Sequence, residues 1–238
     1  MHFYRSLSPI KALTFDLDDT LYDNAPFLEK AIDKMMDALR QVDGLQQIKL
    51  VEFNQVKQDL LIDKPEIYHD VLTWRAESIR RFLHLKGINK QQQINQITDQ
   101  AMDTFVFWRN KVVVPKQSLA TLAALAEKFP LAVITNGNAD ITKIGLTPYF
   151  KFALRGGANG PSKPFPDLFN LAADKLALPS ENILHVGDNL HADVQGAINS
   201  GMQACWINVL GTDIYHQSEA TVLPHIEIKQ LSELNSLL

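Results

Sequence analysis

The apolar residues Leu28, Ile32, Met35, Leu39 and Val42 follow one another at steps of four, three, four and three, lining one face of an α-helix over 26–42. A less regular helical pattern covers 48–62 through Phe53, Val56 and Leu60. Pro65 opens a third helix, with Val71, Leu72, Ile79, Phe82 and Leu83 on one side and Gly87 as its stop. Asn89 stands where it would cap a fourth, whose stripe is Ile94, Ile97, Ala101, Phe105 and Trp108. Four helices in succession without a strand predict a helical module over 22–114.

On either side of this module the rhythm differs. Ala12, Leu13, Phe15 and Leu17 form a short apolar run that reads as a buried strand. After Pro115 a helix is expected over 116–129, a strand over 131–134 and a short helical piece following Asp140. Then come a brief strand at 152–154, a glycine-rich loop and a helix from Pro166 to Leu178. A strand at 182–186, a helix at 193–199 stopped by Gly201 and a strand at 203–209 complete the pattern. Strand–helix alternation with continuous apolar strands predicts an α/β class fold, a Rossmann-like, doubly wound parallel sheet covered on both faces. The first strand needs that sheet, so the core is expected to comprise 1–21 and 115–238, with 22–114 inserted between them.

Composition narrows the classes. The chain of 238 residues can bury a substantial core. Its 23 basic and 27 acidic residues give no positive excess for a nucleic-acid partner. Residues 22–114 hold 13 acidic and 13 basic side chains, so the remainder carries the whole net charge of −4. The single cysteine, Cys205, lies in an apolar run, excludes an intramolecular disulfide and suits a reducing cytoplasm. No apolar run approaches the ~20 residues that span a bilayer, and the N-terminus lacks a signal-peptide pattern. The expectation is a cytoplasmic protein with no membrane partner. Oligomeric state is not readable from these patterns.

The first apolar run ends in Asp16, Asp18 and Asp19. Side chains alternate along a strand, so Asp16 and Asp18 can project together and Asp19 away from them. Two like charges at a strand end need a cation or a shared proton, and strand ends are where open parallel sheets bind ligands. A solvated acidic turn is the plain alternative. Thr135-Asn136-Gly137 follows the next strand, offering a hydroxyl and backbone N–H groups to phosphate oxygens, or merely an Asn-Gly turn. Lys163 precedes a helix, where it could add charge to an anion-favouring helix start or stay a solvated loop lysine. Asp188 closes the strand of 182–186, and Asp193 could join a cation shell or cap the next helix. His185 reads as a packed core histidine and His191 as a surface residue.

Taken in order, these clusters resemble the motifs of the haloacid dehalogenase (HAD) superfamily of phosphohydrolases. Asp16-Leu17-Asp18-Asp19-Thr20 is similar to its first motif, Thr135-Asn136-Gly137 to its second, Lys163 to its third, and Gly187-Asp188 through Asp193 to its fourth. The helical insertion resembles the family's cap of the first type (C1). The resemblance implies Mg²⁺-dependent hydrolysis of a small phosphorylated metabolite through an aspartyl-phosphate. Asp16 would be the nucleophile and Asp18 the general acid, then base. Mg²⁺ would be held by Asp16, the Asp18 backbone carbonyl and Asp188, with Asp193 in the outer shell. Thr135, the Asn136 backbone N–H and Lys163 would neutralise the phosphoryl oxygens. Asp19 and Thr20 would shape the turn.

A narrower resemblance, carried by 15–24, 65–71 and 200–207, is to a bacterial branch of that family. Its substrates are flavin mononucleotide (FMN) and 5-amino-6-(5-phospho-D-ribitylamino)uracil of riboflavin biosynthesis. Tyr68, His69, Trp74, Arg75, Trp108 and Arg109 are candidates for choosing the leaving group, although Trp74 and Trp108 could equally be module core. The rivals are a broad phosphatase for sugar phosphates or nucleotides, a haloacid dehalogenase, a phosphoaccepting receiver domain and a non-catalytic binding protein.

Overall fold

Seven strands share one sheet: β1 (His2–Phe3), β2 (Ala12–Phe15), β3 (Leu131–Thr135), β4 (Ala153–Arg155), β5 (Ile183–Gly187), β6 (Gln203–Ile207) and β7 (Ile226–Ile228). Their spatial order is β1-β7-β6-β5-β2-β3-β4, and every neighbouring pair is parallel except β1 with β7. In this computed structural model, which describes residues 1–238, β2, β3, β5 and β6 are buried along their whole length. Burial on both faces is why their sequences read as short unbroken apolar runs.

From β2 the chain steps outward to β3 and β4, then returns to the other side of β2 for β5, β6 and β7. That reversal opens a crevice at the carboxyl ends of β2, β3 and β5, the position where such sheets take ligands. Phe15 pairs with Val133 and Val186, so the three strands finish within about two residues of one another. The helices of this unit are α5 (Lys116–Lys128), α6 (Asp167–Leu176) and α7 (Gly196–Asn199). Leu168, Phe169 and Ala172 of α6 pack with Ala12, Ile134, Ile183 and Ala204 in one apolar cluster.

The chain divides into two units, one of Met1–Asp23 with Val113–Leu238 and one of Asn24–Val112. The second unit is helical: α1 (Ala25–Arg40), α2 (Leu50–Asp63), α3 (Val71–Leu85) and α4 (Gln91–Arg109). Its core gathers the apolar stripes, among them Met35, Leu39, Phe53, Ile79, Phe82, Ile94 and Phe105.

Three local expectations are corrected. Pro65 opens a separate 3₁₀ turn, Pro65–His69, and α3 starts afresh because Asp70 accepts from Leu72 N and Thr73 N. Lys90, not Asn89, is the N-cap of α4, and Asn89 bonds back to Gly87 O. The segment after Asp140 makes consecutive turns rather than a helix. The strand β7 and its antiparallel partner β1 were not expected at all; three and two residues are too short for a hydrophobic period to register.

Candidate active site

The pleat of β2 and β5 sets the arrangement at the crevice. Thr14 pairs with His185 in register, and alternation puts Asp16 on the face of Thr14 and Gly187 on that of His185. A connected polar chain runs along this face under α6. Thr14 Oγ1 lies 2.9 Å from His185 Nδ1, and His185 Nε2 lies 3.1 Å from Asp193 Oδ1. A carboxylate can only accept, so the imidazole carries its proton on Nε2 and takes the Thr14 hydroxyl proton at Nδ1. Phe169 of α6 packs edge-on against the ring, with centroids 5.1 Å apart.

Lys163 completes the chain. Its ammonium donates to Asp193 Oδ1 at 2.6 Å, Asp16 Oδ1 at 2.8 Å and Ile134 O at 2.7 Å, using all three protons. The residue is 4 % exposed, so neither a solvated loop lysine nor a helix-start cation describes it. Asn136 fixes its backbone: Asn136 Oδ1 accepts from Lys163 N at 2.7 Å and Nδ2 donates to Lys163 O at 2.9 Å. This side-chain clamp between the second and third motifs has no signature in the sequence, where Asn-Gly reads only as a turn.

The expected choice for Asp193 between cation shell and helix cap is decided against the cap. Asn189 caps instead, its Oδ1 accepting from His191 N and Ala192 N. The following turn, Leu190–Gln195, is wound as a π-helix, a form often found at functional sites. Asp193 lies so close to Gly187 that a Cβ there would sit 2.2 Å from the Asp193 carboxyl carbon. His191 is exposed and bonds to Gln195.

Thr20 does more than shape the turn: its hydroxyl donates to Asp188 Oδ1 at 3.2 Å. Trp206 Nε1 donates to the Asp188 carbonyl at 2.7 Å, steadying the same loop. Tyr22 OH donates to Asp18 Oδ1 at 2.7 Å. Asp19 takes a left-handed backbone, φ +58°, which aspartate tolerates better than most residues. Thr135 Oγ1 accepts from Gly137 N at 3.0 Å, leaving its own proton available to a ligand. Thr14, Tyr22, His185 and Trp206 were not anticipated as parts of this site. For Thr14 and His185 the available signal was a polar residue inside an otherwise apolar strand.

A Cβ added at Gly137 would stand 2.4 Å from Asp18 Oδ2. Gly137→Ala should therefore displace the Asp18 carboxylate and lower kcat by about 10²-fold, the scale of a 1 Å misplacement, in a folded protein. Steady-state kinetics with a circular dichroism control checks this.

Carboxylate oxygens of Asp16, Asp188 and Asp193 all lie within 4.8 Å of one another, with Lys163 the cation bonded among them. Lys163 and His185 hold Asp193 well below the usual carboxylate range despite its burial, and Asn189 N donates to its other oxygen. Asp16 goes the other way: burial, opposed in part by Lys163, pushes its carboxyl up, and Asp193 and Asp18 add to that. Asp188 is pushed up to about 7, by burial first and then by Asp193 and Asp19. The cluster is thus short of positive charge, and an all-oxygen donor set suits a hard divalent cation such as Mg²⁺. The group fits.

A proton and a cation must then compete for these carboxylates. Groups pushed up toward 7 hold protons below that pH, so cation affinity should weaken about tenfold per pH unit below 7 for each proton displaced. The measurement is Mg²⁺-dependent thermal stabilisation, expected to be large at pH 8 and nearly absent at pH 5.

In the helical unit, Trp74 Nε1 donates to Lys57 O at 2.9 Å, and Trp108 packs against the module core. Tyr68 lies against His69, which bonds Glu66. Arg75 and Arg109 are both buried, at 8 % and 1 % exposed.

Residues 10–201 match the family model of haloacid dehalogenase-like hydrolases. The chain is 44 % identical over 239 residues, the full length of both proteins, to 5-amino-6-(5-phospho-D-ribitylamino)uracil phosphatase YigB of Escherichia coli K12. It is 25 % identical to mouse N-acylneuraminate-9-phosphatase, covering 98 % of this chain and 95 % of that protein. Among solved structures, a 2-haloacid dehalogenase from Pseudomonas syringae superposes with TM-score 0.88 at 34 % identity, covering 96 % of this chain and 97 % of that one.

Proposed function

The chain belongs to the haloacid dehalogenase-like hydrolase family, and from that premise we propose a cytoplasmic, Mg²⁺-dependent phosphomonoester hydrolase acting through Asp16. The observation that carries this reading is the convergence of Asp16, Lys163, Asp193 and Asp188 at the crevice, with Asp18 beside them.

In the first half-reaction a carboxylate oxygen of Asp16 bonds to phosphorus as the bond from phosphorus to the leaving oxygen breaks. Asp18, held by Tyr22, gives its proton to that oxygen, releasing an alcohol and leaving an aspartyl-phosphate. In the second half, the Asp18 carboxylate takes a proton from water, whose oxygen attacks phosphorus. The bond to Asp16 breaks, inorganic phosphate departs, and Asp18 is again protonated. The Thr135 hydroxyl, the Asn136 backbone N–H and Lys163 neutralise phosphoryl oxygens throughout. Asp16, the Asp18 carbonyl and Asp188 would hold Mg²⁺, with Asp193 outside them because its oxygens already serve Lys163, His185 and Asn189. Bound there, the cation supplies charge that keeps Asp16 ionised and draws the phosphate in.

We propose the helical unit as the cap. The substrate class is a phosphate ester of a ribityl chain on a heterocycle, namely 5-amino-6-(5-phospho-D-ribitylamino)uracil, FMN or both. Similarity to the E. coli enzyme supports this choice. On a panel of phosphate esters these two should give the highest kcat/KM, with EDTA abolishing turnover. A clear preference for sugar phosphates, with neither compound turned over, overturns the substrate assignment. The likeness to a dehalogenase favours a second reading, halide displacement by the same Asp16. That chemistry needs no proton donor at Asp18, and halide release from 2-haloacids is the assay that would reveal it.

A further inference from the structure

Two cations in the helical unit stand together without an anion. Arg75 of α3 is 8 % exposed, and its guanidinium carbon lies over the Phe105 ring, 4.0 Å from the centroid. Its Nε is buried with no hydrogen-bond partner. Near it, on α2, Lys57 holds its ammonium 3.9 Å from the centroid of the Trp74 ring. The two charges press on each other: burial and then Arg75 bring the Lys57 amine down to about 8. Burial and then the neighbouring Arg109 bring the Arg75 guanidinium down to about 10. No carboxylate offsets either charge.

Buried charges are normally paired, since stripping a cation of water is costly and an aromatic face returns only part of that cost. Arginine is also the side chain built for forked recognition of carboxylate and phosphate oxygens. The arrangement has cations, aromatic walls and an unspent donor, and it lacks only the negative partner. We propose that Arg75 and Lys57 form an oxyanion-binding site on the helical unit, taking a phosphate or carboxylate group. None of its residues belongs to the Asp16 cluster, so it stands or falls separately from the hydrolase reading. The oxyanion could come free from solution or as part of a phosphorylated substrate, and the test below separates these sources.

The chain has three tryptophans, so three indole N–H signals report on it in a ¹H–¹⁵N spectrum. Trp74 reports the proposed site, because Lys57 supplies both the carbonyl its indole binds and the ammonium over its ring. Trp206 reports the catalytic end through its bond to Asp188 O. The full-length protein is titrated first with inorganic sulfate and then, as Asp16→Asn to prevent turnover, with FMN. A saturable shift of the Trp74 signal with sulfate, weakened at least tenfold by Arg75→Gln, supports a site for a free oxyanion. A Trp74 shift with FMN alone, again lost in Arg75→Gln, supports the substrate as its source. A Trp74 signal unmoved by both ligands, or moved equally in the variant, overturns the site. If Arg75→Gln does not fold, Lys57→Gln at its half-buried position replaces it, and an unaltered titration there also overturns the site. Movement of Trp206 without Trp74 would leave the catalytic reading intact while removing this one.

Discussion

Asp16→Asn is expected to lower phosphomonoester turnover by roughly 10⁴-fold or more, the scale on which covalent enzymes lose rate with their nucleophile. An amide cannot form the acyl-phosphate, whatever the rest of the site supplies. The fold should not suffer. Burial is the largest influence on the Asp16 carboxyl and acts against its charge, so a neutral isostere removes that penalty while still accepting from Lys163. The thermal midpoint without divalent cation should be equal to or above that of the parent, and Mg²⁺ should raise it less. Kinetics on p-nitrophenyl phosphate and a melting series with and without Mg²⁺ check both halves.

Lys163→Met is expected to damage the fold as well as the chemistry. The side chain is 2 % exposed and touches two carboxylates that are themselves almost fully buried. Removing one partner of a buried ion pair costs about 3–5 kcal/mol because the other is left uncompensated. Denaturant unfolding at pH 7.5 should show a loss of that size, accompanied by loss of turnover. The pH slope should also change. In the parent, Asp193 is held low, so its stabilising contribution is present at neutral pH and is lost on acidification. Without Lys163 the stranded carboxylates rise, the folded state binds the extra protons, and stability is regained as pH falls. Adding Asp16→Asn to Lys163→Met should recover part of the loss, since one stranded charge is then gone.

The architecture was largely legible in the residues because helices of the inserted unit carry long apolar stripes and the sheet strands are unbroken apolar runs. The clusters at Asp16, Thr135 and Asp188 each sat just after such a run, with the Lys163 loop between the last two, so the crevice could be assembled by order. What could not be read were partnerships between distant residues. The clamp of Asn136 on Lys163 joins residues 27 positions apart, and the contact of Thr14 with His185 joins residues 171 apart. Hydrophobic periodicity tells which face a side chain takes and is silent about who meets it there. Lys163 looked solvated because its loop composition says nothing about the three acceptors gathered around its ammonium. Asp193 could be read as a helix cap, and only the turn between β5 and α7, wound as a π-helix, shows Asn189 in that role instead. The unpaired Arg75 was equally invisible, since an absent partner leaves no pattern.

Chemical trapping shows whether phosphate passes through Asp16. An acyl-phosphate is reduced by borohydride to an alcohol, converting the modified aspartate to homoserine, which peptide mass spectrometry locates. During turnover of FMN or p-nitrophenyl phosphate with Mg²⁺, homoserine should appear at position 16 alone. It should accumulate further in Asp18→Asn, where no base activates the resolving water, provided a good leaving group needs no proton. Sustained turnover in a protein whose Asp16 is never converted, or conversion at Asp18 or Asp188 instead, would mean that phosphate does not pass through Asp16.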